Sequence, residues 1–117
     1  MKKKPEKPGS RRLRQRTADL RGRINEMDYV SSGTLHSRKR PCGKTNCRCA
    51  DDTEAWHGPY HDWTRWKDGR LVHSAVSPEH ARLIQHAIAN RREIERLLVR
   101  WEEETVAEIL GGVRSSG

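Results

Sequence analysis

The sequence predicts an α+β fold in which a basic N-terminal helix, a small antiparallel sheet and a long C-terminal helix follow one another. Apolar residues recur every three or four positions over 11–28 and again over 78–110, the period of amphipathic helices. Between them, an alternating aromatic segment, an Asp-Gly turn and a second short apolar segment are typical of a β-hairpin. A chain of 117 residues suffices for one domain, which we expect over 11–110.

The first helix follows a lysine- and proline-rich segment, 1–10, that predicts a disordered basic arm. Ser10 is the predicted N-cap. The apolar stripe of the helix consists of Leu13, Thr17, Leu20, Ile24 and Met27. Gly22 in the helix interior weakens it by roughly 1 kcal/mol relative to alanine. The other faces are cationic.

The central region, 34–76, is predicted to form a hairpin or three-stranded sheet. Thr34–Arg40 could be a short strand, and Tyr60–Trp66 and Leu71–Val76 are the two strands of the hairpin. Trp63 and Trp66 fall on opposite faces of their strand, so one of them could be exposed and stack on a base. The alternative is that both rings belong to a small core.

The second helix is predicted to begin with Ser77 as N-cap and Pro78 at the first helical position. Without internal glycine or proline before Gly111, it runs over 78–110, roughly 48 Å at 1.5 Å per residue. A small hairpin cannot cover that length, so its distal half needs the N-terminal helix, a second copy of the chain or another protein. Residues 111–117 are predicted to be a flexible tail.

Composition predicts a chain that needs more than apolar burial to stay folded. Hydrophobic residues are 32% and charged residues 34%, and there is no phenylalanine. Small domains with so little apolar surface commonly recruit a metal, a disulfide or a partner. Three cysteines cannot all pair within one chain, and neither a secretory signal nor an apolar span is apparent. We therefore expect a cytoplasmic protein with no membrane association.

The cysteines cluster as Cys42, Cys47 and Cys49 within a glycine-containing turn. Zinc prefers four tetrahedral thiolate and imidazole ligands. His57 is the nearest candidate for the fourth ligand, and His61 is the reserve candidate. The spacing between Cys47 and Cys49 is tight, and can be accommodated if Arg48 turns outward. A Zn²⁺ knuckle in the sheet region is the leading prediction, and free or redox-active thiols and buried packing residues are the alternatives.

Charge is distributed unevenly. Residues 1–48 contain fifteen Lys or Arg against four Asp or Glu, a net charge of +11, whereas residues 49–117 have a net charge of −3. The basic half should attract a polyanion, although a solvated arm without a partner is the plainer alternative. The candidate phosphate contacts are Arg11, Arg12, Arg14, Arg16, Arg21, Arg23, Arg38, Lys39, Arg40, Lys44 and Arg48.

The segments CGKTNCRCA, 42–50, and HGPY, 57–60, together resemble a small bacterial domain family of unknown function with CGKxxCxCA and HGPY segments. The resemblance covers roughly 11–101. It implies genes near transposases, integrases and other mobile-element genes, and hence a DNA- or RNA-associated accessory role in transposition. It favours His57 over His61 as the fourth ligand. This chain departs from the family at His61 and Asp62, where aromatic residues are usual, which keeps His61 open.

The leading functional prediction is a zinc-stabilised accessory protein that binds DNA or structured RNA, in a mobile-element, ribonucleoprotein or recombinase system. The alternative is an adaptor whose long helix forms a homodimer or docks on a recombinase, transposase, nuclease or ribonucleoprotein. A redox-sensing thiol switch is a third hypothesis. Because no base and orienting group accompany the cysteines in a recognisable arrangement, we expect no enzymatic activity.

Overall fold

The computed structural model describes residues 8–116, and the side chains of 8–111. It contains a helix α1 (Arg11–Asn25), three strands β1 (Thr34–Arg40), β2 (His57–Lys67) and β3 (Arg70–Val76), and a helix α2 (Pro78–Ser116). Two short 3-10 turns, Arg48–Ala50 and Thr53–Ala55, lie between β1 and β2. The predicted α+β class, with basic helix, three-stranded sheet and long helix, is confirmed.

The described residues divide into two compact units, 8–27 with 92–116 and 28–91. We call them the helical unit and the sheet unit. The prediction of one domain over 11–110 stays a prediction. Residues 1–7 of the predicted basic arm and Gly117 of the predicted tail lie outside the described part of the chain.

The helical unit pairs α1 with the distal half of α2. Ser10 caps α1 as predicted, because its hydroxyl accepts a hydrogen bond from the Leu13 N–H at 3.0 Å. Leu20 and Leu97 are almost completely buried and form the centre of this unit. Ion pairs flank them, with Arg16 3.2 Å from Glu104 and Arg23 2.7 Å from Glu93. The earlier arginine of α1 pairs with the later glutamate of α2, and the later arginine with the earlier glutamate, so the two helices are antiparallel.

The sheet unit contains an antiparallel sheet in the order β1-β2-β3. The predicted Asp-Gly turn joins β2 to β3: Asp68 and Gly69 both have positive φ, 52° and 77°. Two consecutive positive φ values are what a tight two-residue hairpin turn requires. Ser77 caps α2 as predicted, accepting from the His80 N–H at 3.1 Å.

The two faces of the sheet differ in exposure. On one face, Leu35, Trp63 and Ser74 are opposite one another across the three strands, and all are half-buried. The other face carries Tyr60 and Trp66 and is largely exposed. Because side chains alternate along a strand, the odd-numbered residues of β2 lie on the face of Trp63 and the even-numbered residues lie on the more exposed face. The buried apolar residues of the sheet unit are Cys49, Ala81, Ala87 and Ile88.

Both helices end at positions other than those predicted. α1 ends at Asn25 instead of 28. The Asp28 carboxylate accepts from the Tyr29 N–H at 2.6 Å, a local bond that competes with the helical pattern. The same carboxylate lies 3.3 Å from the ring of the distant His86. α2 continues past 110 to Ser116, because glycine disfavours a helix but still donates its N–H. Within the described residues, no helix combines the length and apolarity that a membrane span requires.

Candidate metal centre

Strand pairing brings the two ends of the cysteine-rich segment together. Arg40 at the end of β1 is opposite His57 at the start of β2. Cys42 follows two residues after Arg40, and the intervening chain must return to His57. The cysteines therefore lie on a loop closed at its base by the sheet.

Within this loop the backbone curls tightly around the sulfur atoms. Cys47 precedes the 3-10 turn Arg48–Ala50, and its carbonyl accepts from the Ala50 N–H at 3.0 Å. The turn allows Cys47 and Cys49 to face the same point although one residue separates them. The Arg48 side chain is 80% exposed and pairs with Asp52 at 3.2 Å, so it points away from the sulfurs.

Four potential ligand atoms converge. The donor atoms of Cys42, Cys47, Cys49 and His57 all lie within 4.8 Å of one another. The Cys42 and Cys49 sulfurs are 3.5 Å apart, and the Cys47 sulfur is 3.3 Å from His57 Nε2. All three cysteines are free thiols, and the Cys42–Cys49 separation of 3.5 Å is well beyond a disulfide bond of about 2.05 Å. These four residues are the predicted set, and they could hold a metal ion.

Backbone and side-chain donors stabilise the thiolate form of Cys47. The Cys49 backbone N–H, followed by the His57 ring and the Cys49 side chain, lowers the pKa of Cys47 to about 6. The thiolate is the form that binds metals, so Cys47 is available as a ligand at neutral pH.

Cys49 is the deepest of the four, with only 2% of its surface exposed. The Cys42 backbone N–H, 3.4 Å from its sulfur, lowers the pKa of Cys49, but burial and the neighbouring Cys47 and Cys42 thiols raise it, and the net direction is upward. Three adjacent sulfurs oppose simultaneous ionisation, and a bound cation would remove that opposition.

His61, the reserve ligand, is not part of this group. Its Nδ1 lies 2.6 Å from the Ser37 hydroxyl on the paired strand β1. His57 starts the strand next to the loop, whereas His61 is four residues further along it. Among the described residues, the cluster therefore contains His57 as its histidine.

The arginines of α1 are largely occupied within the helical unit. Besides the ion pairs of Arg16 and Arg23, the Arg21 guanidinium lies 5.9 Å from the Trp101 ring and donates to the Arg14 carbonyl. Arg14 donates to the Gly9 carbonyl. Arg11 and Arg12 are exposed on the first turn of the helix. The sequence could not reveal the α2 partners of Arg16, Arg21 and Arg23, because they lie some 70 or more residues away.

The remaining predicted phosphate contacts lie in the sheet unit, on β1 and in the cysteine loop that follows it. Arg38, Lys39 and Arg40 are exposed on β1, an edge strand, and Lys44 is exposed in the cysteine loop. Arg40 lies over the Tyr60 ring, with its guanidinium carbon 4.5 Å from the ring centre. Arg48 completes the set but is paired with Asp52. The predicted phosphate-binding residues are thus distributed between both units.

Two features of the candidate sites were not identified from the sequence: the backbone donors to the sulfurs and the exposure of Tyr60. The backbone N–H groups of Cys42 and Cys49 that support the sulfurs leave no signal in residue identity. The second is the exposed position of Tyr60 on the same face as Trp66; strand alternation placed them together but did not indicate which face is exposed.

The chain matches a protein family of unknown function. Residues 10–86 match the family described as Domain of unknown function (DUF6788), a match that spans α1, the sheet and the four metal-ligand candidates. No curated protein and no solved structure matches the chain. Since the match covers well over half of its length, the chain belongs to the DUF6788 family.

Proposed function

We propose that the protein is a zinc-stabilised nucleic-acid-binding protein whose binding surface is centred on β1 and the adjoining cysteine loop. The observation that carries the proposal is the continuity of the cationic edge strand, Arg38–Arg40, with the loop that holds the four metal-ligand candidates.

Zinc is the metal that this ligand set fits best. Thiolate and imidazole ligands in a Cys₃His set are typical of structural zinc. Zinc–sulfur bonds of about 2.3 Å and zinc–nitrogen bonds of about 2.0–2.1 Å imply tetrahedral edges of roughly 3.8 Å between sulfurs and 3.6 Å between sulfur and nitrogen. The separations of 3.5 Å and 3.3 Å differ from these values by about 0.3 Å. Bound zinc would fix the path of the chain between β1 and β2.

The charge arrangement supports a polyanionic ligand. Arg38 and Arg40 are exposed, and neither is held by a carboxylate in an ion pair among the described residues. In α1, by contrast, Arg16 and Arg23 already pair with glutamates, and a phosphate would have to displace those partners. We therefore assign the principal phosphate contacts to the sheet unit, with the exposed Arg11 and Arg12 as further contacts. A role in mobile elements, which the family resemblance implies, stays a prediction.

Fluorescence anisotropy tests the proposal with the zinc-loaded full chain and labelled 20-mer DNA and RNA, single- and double-stranded. We expect affinity to fall steeply between about 50 and 200 mM salt, because phosphate contacts release counterions. The double variant Arg38→Gln/Arg40→Gln should bind more weakly and lower the log–log salt slope by about 2.

The matched control is Arg82→Gln/Arg92→Gln, which changes net charge equally at two exposed positions of α2. It should retain most of the affinity. If no probe binds at low salt, or if the control loses as much affinity as the β1 variant, the proposal is wrong.

A further inference from the structure

The exposed face of the sheet carries two aromatic rings on its central strand. Tyr60 is 38% exposed and Trp66 is 71% exposed. Both are even-numbered positions of β2, so they project from the same face about 20 Å apart along the strand. Such exposed rings on a central strand can contact a ligand lying across the sheet.

Trp63, on the opposite face of β2, is held by contacts within the sheet unit and provides a comparison for Trp66. It is half-buried, its indole N–H donates to the Ser32 carbonyl at 3.1 Å, and the Arg65 guanidinium lies 3.9 Å from its ring centre. Trp66 is mostly exposed instead. Its cross-strand partner, Leu71, is also 48% exposed, so this end of the face is both apolar and open.

Cations of β1 border this aromatic face at its Tyr60 end. Arg38 is the cross-strand partner of Tyr60, and Arg40 lies over the Tyr60 ring. Asp62 is between the two aromatic positions and disfavours phosphates over the middle of β2. A phosphate backbone would therefore follow the cationic β1 edge while the bases point inward across the sheet.

This combination favours a single strand over a duplex. Aromatic side chains can stack only on bases that are not already stacked and paired inside a helix. Stacking tolerates every base, because each has a π-face, whereas cations along one edge bind the backbone. A duplex would meet only the cationic edge and would leave both rings unused.

We propose that the face formed by Tyr60, Trp66, Arg38 and Arg40 is a stacking platform for single-stranded nucleic acid. The inference rests on the proposed nucleic-acid-binding function and specifies its ligand. Tyr60 and Trp66 each stack on a base, and the two arginines contact the backbone at the Tyr60 end of the platform.

The test measures binding of the zinc-loaded full chain to labelled oligo(dT), oligo(U) and a DNA duplex of equal length. Trp66→Ala should weaken binding of both single strands about 10-fold, which is within the range for loss of one stacked base. The salt slope should stay unchanged because no charge is removed, and duplex binding should also stay unchanged. Trp66→Phe should restore most of the affinity.

Leu71→Ala is the matched control, since Leu71 is the exposed neighbour of Trp66 on the same face but has no ring. It should bind single strands as the wild type does. Tyr60→Ala tests the other end of the platform and should also weaken the binding of single strands. Circular dichroism melts identify any variant whose loss of binding comes from unfolding.

Different results would contradict the stacking platform and the proposed nucleic-acid-binding function. If Arg38→Gln/Arg40→Gln weakens binding but Trp66→Ala and Tyr60→Ala bind single strands normally, the platform is wrong and the proposed function stands. If no nucleic acid binds, both are wrong. If the wild type is a dimer and Trp66→Ala converts it to a monomer, a second copy covers this face and the platform is also overturned.

Discussion

Gly22 and Gly69 differ in backbone conformation but not in the space around them. A Cβ added at either position meets no heavy atom within 4 Å. Gly22 is inside α1, where its carbonyl accepts from the Glu26 N–H, whereas Gly69 has φ +77° in the hairpin turn. Substitution at these two positions therefore isolates the backbone contribution to stability.

We predict that Gly22→Ala raises the free energy of unfolding by about 1 kcal/mol, because alanine has the higher helix propensity. Gly69→Ala should lower it by about 1–2 kcal/mol, because an L-residue is strained at positive φ. Urea denaturation of the zinc-loaded variants measures both. Shifts of the same sign in the two variants would contradict this explanation.

At the scale of elements, the distal half of α2 presents two different faces. One contains Leu97 and the glutamates that pair with arginines of α1. The opposite face is apolar yet exposed, and its members fall within roughly a third of the helix circumference at about 100° per residue. They are Leu98, Val99, Val106, Ile109 and Leu110.

We predict that this apolar face makes the chain self-associate, the homodimer that the adaptor hypothesis includes. Exposed apolar residues clustered on one side of a helix are typical of interaction surfaces. Ile109→Glu should shift the protein toward monomer in sedimentation-velocity experiments. Leu71→Glu, a similar change at an exposed leucine of the sheet, should not. A wild-type chain that remains monomeric at high concentration would show that the face has no such role.

At the scale of the whole molecule, little apolar surface is buried. Among the described residues, six apolar residues are buried, and none of them belongs to a strand. The buried apolar residues of the sheet unit are Cys49 and three residues of α2, Ala81, Ala87 and Ile88. A structural metal is the usual compensation when a small core contributes so little.

We predict one zinc per chain in native mass spectrometry, and a fall in Tm of at least about 10 °C on chelation, because metal binding contributes directly to folding free energy. His57→Gln should weaken zinc binding, since it removes one of the four metal-ligand candidates. His61→Gln, the control, should retain zinc because its ring bonds to Ser37. A chelated chain with unchanged Tm, or zinc loss only in His61→Gln, would refute the assignment.

The local signals in the sequence predicted most of the fold because they act over a few residues. The caps Ser10 and Ser77, the Asp68-Gly69 turn and the alternation of β2 were all interpreted correctly. The four metal-ligand candidates were also identified, since their residue types and spacing are local. The end of α1 was predicted less well, because Asp28 interacts with His86, which is distant in sequence.

By itself, the sequence determined the elements, the ligand candidates and the excess of positive charge in the N-terminal half. Only the tertiary structure decided which charges and rings stay accessible. Arg16 and Arg23 pair with glutamates of a distant helix, whereas Trp66 is left exposed on a sheet face. Both outcomes depend on which elements pack together, and periodicity along one segment carries no information about the partner that covers it.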